Sequence, residues 1–225
     1  MRKITLLSLL FILVISKSIS AQILLKEVSL SEQIEKSTQV LEGKVLSKQS
    51  FWDEKHEKIY TVNTIEVHKV FKGEALSTVE IITLGGVVEL DAQVVYPSLK
   101  LNVGEVGVFT LYASNTRLDA QEVSIKNRFE SYGSLQGFYK YNVEEDVADN
   151  QFSSKKGIAN SFYNEIKNTT KVDYIQLSDF NVQSKSLEAG KVSAAITIAS
   201  FSPTTSTAGT KSVLTINGSN FGTVK

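Results

Sequence analysis

Residues 59–71 read IYTVNTIEVHKVF, and Lys72-Gly73-Glu74 ends the run. β-branched and aromatic side chains dominate it, a composition that suits a pleated strand. Its apolar residues change phase between Val62 and Ile65, which predicts a bulge and strong curvature there. The neighbouring segments read the same way. Gln39 to Leu46 has the content of a strand, and a polar tip from Ser50 to Lys58 joins it to the long strand. Val79 to Leu84 is a third strand, stopped by Gly85-Gly86, and residues 87–103 read as an elaborated loop or hairpin. In Val106 to Ala113 apolar residues occupy both phases, so both faces are covered. Phe138 to Asn142 is a shorter strand.

Two helices flank this set. Ser29-Leu30-Ser31-Glu32 fits a capping box, with Leu30 and Ile34 four apart on one face, so a short helix spans Ser29 to Thr38. A second runs from about Lys156 to Asn168, with Ile158, Phe162 and Ile166 on one stripe. The expectation is one compact, mainly β domain with two short helices over residues 22–182. A polar linker follows at 183–193, and the Thr, Ser, Ala and Gly content then rises.

The first 21 residues address the compartment. Arg2 and Lys3 precede an apolar run from Ile4 to Ile15, and a short polar stretch ends in Ser20-Ala21 before Gln22. That pattern is a cleavable signal peptide, cut between Ala21 and Gln22. The run is too short to cross ~30 Å of hydrocarbon comfortably. The predicted location is secreted, extracellular or at the cell surface. Cleavage removes three of the 24 basic residues and none of the 24 acidic ones, leaving a net charge of −3. That balance gives no reason to expect attraction to nucleic acid or anionic membrane, and no nucleic-acid partner is expected. The chain has no cysteine, which points to a bacterium and removes thiol catalysis, Cys-ligated zinc and a disulfide framework. No second apolar run is long enough to span a bilayer.

Residues 195–222 read AITIASFSPTTSTAGTKSVLTINGSNFG. The I-x-x-F-S-P opening, the Thr-Ala-Gly turn and T-I-N-G-S-N-F-G resemble the start of an IPT/TIG domain, an immunoglobulin-like β-sandwich. Pro203 after a strand and Gly209 and Gly218 at turns suit that pattern, and Leu214, Ile216 and Phe221 are its expected inward anchors. The likeness covers residues 194–225, about a third of such a domain, so the reading expects downstream domains in the same polypeptide. A second resemblance rests on VLEGKV (40–45), the strand 59–73, VEIITLGG (79–86) and GEVGVFTLY (104–112). These are similar to a netrin/TIMP-like module of the OB-barrel type. The combined expectation is an OB-like β-barrel followed by the first strands of an immunoglobulin-like sandwich. Similar runs open secreted bacterial proteins, some with a zinc metalloprotease domain further on. The animal inhibitors reach the protease metal through an N-terminal cysteine, so inhibition by that route does not carry over to a chain without one.

Local chemistry is sparse. His56 and His68 stand twelve apart with no H-E-x-x-H helix. Asp53-Glu54-Lys55-His56-Glu57 reads as a solvated hairpin tip, and His68, beside Glu66 on the strand, as a surface or rim residue. Glu144-Glu145-Asp146, with Asp149, lacks the alternating ligands and mid-loop glycine of a calcium loop. Asn217-Gly218 reads as a turn. No nucleophile elbow, Walker loop or dinucleotide fingerprint occurs. No catalytic, metal-binding or cofactor-binding residue is assigned, and no cofactor is expected. Phe51-Trp52 holds the only tryptophan; Trp52 either covers the barrel end or, with Phe51, is the candidate partner contact, with a protein or carbohydrate as ligand. The function expected is a non-catalytic binding or spacer region. The alternative is the front of an exported zinc metalloprotease or other hydrolase whose catalytic domain lies beyond residue 225.

Overall fold

In the computed structural model, residues 25–119, 127–182, 197–202 and 215–219 are described. The signal peptide with Ala21 and Gln22, and the linker at 183–193, lie outside them. β1 (Gln39–Trp52) and β2 (Ile59–Lys72) pair antiparallel from Val40↔Lys72 to Trp52↔Ile59. The strand expected to end at Leu46 therefore runs on to Trp52, and the polar tip shrinks to the residues after it. Three register shifts bend the pair. Two leave an extra residue on β2, at Phe71 and at His68, and one leaves Leu46 extra on β1, opposite Thr64 and Ile65. The irregularity read from the phase change is thus where it was expected, with the inserted residue on the partner strand.

β3 (Thr78–Leu84) continues the meander against β2, and a small hairpin of β4 (Gly86–Val88) and β5 (Asp91–Gln93) follows. β6 (Val106–Ala113) pairs back to β1. β7 (Arg128–Ser131) lies antiparallel to β6 and parallel to β3. The path β1-β2-β3-β7-β6 returns to β1, a ring of five strands within a larger mixed sheet. β8 (Phe138–Asn142) shares the outer edge of β6 with β7, and β9 (Val147–Asp149) and β10 (Ser154–Lys156) extend it. β11 (Ile175–Gln176) pairs with β2 at Val70 and Lys69.

The ring closes where Gly43 of β1 faces Gly107 of β6. A Cβ on Gly43 would meet Glu66 O at 2.5 Å, and one on Gly107 would meet Tyr139 O at 2.1 Å. Glycine at such a corner lets one backbone approach another.

Two buried clusters explain the double apolar phase of β6. Phe109 and Leu111 pack with Leu41, Ile65 and Ile81 on one side. Val108 packs on the other with Phe71, Tyr139 and the helices. Helix α1 (Leu30–Lys36) begins at Ser29, whose Oγ accepts from Glu32 N at 3.2 Å, and it buries Leu30 and Ile34. The second helix departs from its expected bounds. Lys156 belongs to β10, Gly157 turns the chain at φ 72°, and a wide turn over Ile158–Phe162 precedes α2 (Tyr163–Thr170). The predicted stripe of Ile158, Phe162 and Ile166 is buried throughout.

β12 (Thr197–Ser202) and β13 (Thr215–Ser219) form a separate two-stranded sheet. Asn217 and Gly218 are not a turn. They stand within β13 opposite Ser200 and Ile198, with Ala199 as a bulge between. Ile216 is 46% exposed. The other expected anchors, Leu214 and Phe221, lie outside the described residues, as do Pro203 and Gly209. Among the described residues, no helix is long and apolar enough to cross a membrane.

Candidate functional site

Phe51 and Trp52 end β1, and the turn after them is built by Asp53. Its Oδ1 accepts from Glu57 N at 2.8 Å and Lys58 N at 3.2 Å. Desolvation pushes the Asp53 pKa up, but these bonds and one from Lys55 together hold it below the usual carboxylate value. The turn stacks the His56 imidazole on the Trp52 indole, ring centres 5.8 Å apart, and brings His56 Nε2 within 2.5 Å of Asp119 Oδ2. Asp119 N also donates to Trp52 O at 2.8 Å, so the segment after β6 is tied to the tip. Phe51 packs with Val62, Ile82 and Leu118. The sequence-predicted pair is therefore divided in its work: Phe51 closes a small apolar cluster, and half-buried Trp52 belongs to an exposed indole–imidazole–carboxylate face.

A second constellation went unread in the sequence. Glu42 of β1 and Lys69 of β2 are direct cross-strand partners beside the His68 bulge, and both are buried. Glu42 Oε1 accepts from Lys69 Nζ at 2.6 Å. Glu42 Oε2 accepts from the hydroxyl of Tyr141 at 2.8 Å and from that of Tyr163. Lys69 Nζ also donates to Phe180 O at 3.0 Å. It lies 5.5, 5.8 and 5.6 Å from the ring centres of Tyr163, Tyr174 and Phe180, within cation–π range. Burial raises the pKa of both Tyr141 and Tyr163, and the nearby Glu42 charge raises them further, so they act as neutral donors.

His68 is not a rim residue. As the inserted residue of its bulge it is buried, stacked on Phe180 with ring centres 4.4 Å apart, with Glu42 Oε1 4.0 Å from Nδ1 and Glu66 Oε2 3.7 Å from Nε2. Burial lowers its pKa more than the two carboxylates raise it, and the Lys69 charge adds to the lowering. The turned-out His68 carbonyl accepts from Leu177 N at 2.8 Å and Ser178 N at 3.3 Å. Together these contacts bind residues 174–182 across β2 as a strap.

Phe180 separates two depressions. One, of about 820 Å³, is an open groove bordered by Lys44, Glu66, His68, Lys140 and Glu144. The other, of about 270 Å³, is lined by Lys69, Tyr163, Tyr174 and Gln176. The only sequence signal for this region was a single acid in the apolar run 40–45 and a single base pair of residues, His68-Lys69, in the apolar run 59–71. Lys44 and Glu66 lie in the same two runs, so which of the charges form the buried pair is settled only by the register. The sequence did not supply that register, because three bulges shift it.

Comparison with family models, with curated proteins and with solved structures found no match. Among the described residues, no group of three or more His, Asp or Glu is placed to hold a metal ion.

Proposed function

We propose that this chain is a non-catalytic binding or spacer region of a longer secreted or cell-surface bacterial protein. The observation that carries the reading is the clamp on the strap. Glu42 spends both carboxylate oxygens on Lys69, Tyr141 and Tyr163, and Lys69 is held by Glu42, Phe180 O and three rings. These groups are engaged in structure, and their joint effect is to fix the segment that leads out of the strand ring. A fixed exit suits a region that holds its successor at a defined place. The ring's connectivity supports an OB-type module: an antiparallel three-strand meander, β6 returning to β1, and β7 closing on β3 in parallel. The paired β12 and β13 support an immunoglobulin-like successor. The basic start and apolar run support export.

The test uses the mature chain from Gln22 onward, exported from a Gram-negative host and identified by intact mass. The expected result is cleavage at or near Ala21-Gln22, retention of a surface ligand that a Trp52→Ala variant loses, and no turnover of protein or glycoside substrates with or without added zinc. Zinc-dependent hydrolysis by this chain would overturn the reading. Met1 retained on the exported material would overturn its localisation.

A further inference from the structure

The strand ring has a cavity of about 240 Å³ at one mouth, beneath the segment that joins β3 to β6. Its wall is polar by design of the strands. Thr61 and Asn63 alternate with buried apolar residues on β2, and Thr83 stands opposite Thr61 on β3. The hydroxyl protons on this rim are already committed. Thr61 Oγ1 donates to Gly85 O at 2.7 Å, so the Ser50 hydroxyl, 3.0 Å away, donates to Thr61 and in turn accepts from Val87 N at 3.3 Å. Thr83 Oγ1 accepts from Asn63 Nδ2 at 3.1 Å. A Cβ on Gly86 would lie 2.3 Å from Ser50 Oγ, so the β4–β5 hairpin can rest on this relay only with glycine there.

Asn63 and Lys48 are two wall groups with capacity left. Asn63 is 1% exposed, and its Nδ2 is directed by Thr61 O, Ile81 O and Thr83 Oγ1. That assignment leaves Oδ1 as a buried acceptor with no partner among the described residues. A buried acceptor without a donor costs about 1–3 kcal/mol, so the site gains from any ligand that supplies one. Lys48 Nζ donates to Leu101 O at 2.9 Å and has two further protons to give. The rest of the wall mixes aliphatic side chains, including Leu84, Val94 and Leu99, with Gln93, Lys100 and Asn102, and no carboxylate lines it. The site thus asks for one group that donates to Asn63, accepts from Lys48 and presents apolar C–H surface. The volume lies below the ~300 Å³ lower bound of ordinary small-molecule sites, which limits the occupant to about one ring.

From this juxtaposition we infer that the ring mouth binds a single hydroxylated ring, the terminal sugar residue of a glycan, neutral or carrying one negative charge. Hydroxyls donate and accept at once, and a sugar ring offers C–H faces to the aliphatic side chains of the wall. A peptide fits less well: β3 is paired on both sides, by β2 and β7, and offers no free edge at Glu80 to Ile82. The inference rests on the reading of the chain as a binding region and assigns a second contact, separate from the Trp52 face.

The experiment is saturation-transfer NMR of the mature chain with glucose, N-acetylglucosamine and glucuronate at millimolar concentration, with amide shift mapping. Transfer from the protein to the ring protons of at least one sugar is expected, with shifts centred on Asn63, Thr83 and Leu99. Lys48→Gln, at an exposed position, should weaken binding about tenfold, the effect of one hydrogen bond from a charged donor. Ala92→Phe, exposed on the hairpin and lining the cavity, should abolish it without disturbing the fold. Trp52→Ala should leave it unchanged. Absence of transfer to all three sugars overturns the inference. So do shifts centred on Trp52 and His56, an outcome that leaves the binding reading standing, and so does displacement by a capped tripeptide where the sugars have no effect. Hydrolysis of a sugar conjugate would instead overturn the non-catalytic reading.

Discussion

Lys69 is the residue on which the described structure depends most sharply. Its ammonium is the sole cation within bonding distance of buried Glu42 among the described residues, so Lys69→Ala leaves a carboxylate in the core with only two phenol donors. Removing one member of a buried pair typically costs about 3–5 kcal/mol, whereas an apolar replacement of both is often neutral or better. Chemical denaturation of Lys69→Ala should show a loss of that size, and Glu42→Leu with Lys69→Met should recover most of it. If the single variant loses less than about 1 kcal/mol, the pair is not holding the strap. His68 gives a pH signature at the same place. Its native pKa is lowered, first by burial, so the folded imidazole stays neutral where the unfolded one, near 6.5, takes a proton. Below that value the unfolded state binds more protons, and stability falls as the pH drops from about 6.5 towards the lowered native pKa, with no slope from this group above it. The groups facing it are Glu42, Glu66 and Lys69, and Glu66 is the exposed one. Glu105 acts in a separate window. Desolvation raises its pKa, but bonds from Asn102 and Lys140 hold it below 4.5, so its contribution is lost only in stronger acid. Unfolding midpoints should therefore fall below about pH 6.5 in the wild type and fall less in His68→Gln, with the two alike between pH 7 and 8; an unchanged slope would assign it elsewhere.

Among the elements, β1, β2, β3, β6 and β8 were legible because each carries enough apolar or β-branched residues to declare its period. Four short strands, β7, β9, β10 and β11, were not. Arg128–Ser131 contains two charged residues, and its strand state is owed to β3 and β6 on either side. Ser154–Lys156 and Ile175–Gln176 are two or three residues long, too short for any period, and exist through their neighbours β9 and β2. Asn217-Gly218 misled for the opposite reason: a dipeptide with strong turn preference was absorbed into β13 by a bulge on the facing strand. The glycines at the ring corner make a sharper statement. Gly43 and Gly107 face each other, and each leaves room for a backbone carbonyl from the next strand. Alanine there must displace β2 or β8, because the nearest obstruction at each is a backbone carbonyl, with Ile65 Cγ2 and Phe138 Cε2 next to it. Overpacking of this kind costs about 1–3 kcal/mol. Gly107→Ala and Gly43→Ala should each lower the unfolding midpoint accordingly, while alanine at Gly104, with nothing near its Cβ, should be limited to the strain of its φ of 90°. Equal losses at all three would mean that conformational preference, not close approach, governs these sites.

At the scale of the whole molecule, the strand ring and the β12–β13 pair stand on different energetic footing. The ring places Leu41, Ile65, Phe109 and Leu111 wholly out of solvent, each worth about 1.5–3 kcal/mol. The pair is a two-stranded sheet, and Ile216, on its second strand, keeps 46% of its surface exposed. Asn217 Nδ2 reaches Ser200 Oγ at 3.2 Å, an exposed bond of small net value. Ordering a residue's backbone costs about 1–2 kcal/mol, and an isolated hairpin seldom offsets that in water. Among the described residues no third strand pairs with this sheet, and such edges are templates for further strands of the same sheet. Hydrogen exchange on the mature chain separates the two footings directly. Amides of Thr215 to Asn217 should exchange orders of magnitude faster than those of Val108 to Leu111, which open only with the ring. Ending the chain after Val182, whose side chain is buried with α1 and α2, should leave the thermal midpoint unchanged. A lowered midpoint, or equal protection of the two strands, would make the pair an integral part of the first domain. The reading of β12 and β13 as the opening of a separate immunoglobulin-like module would then fail.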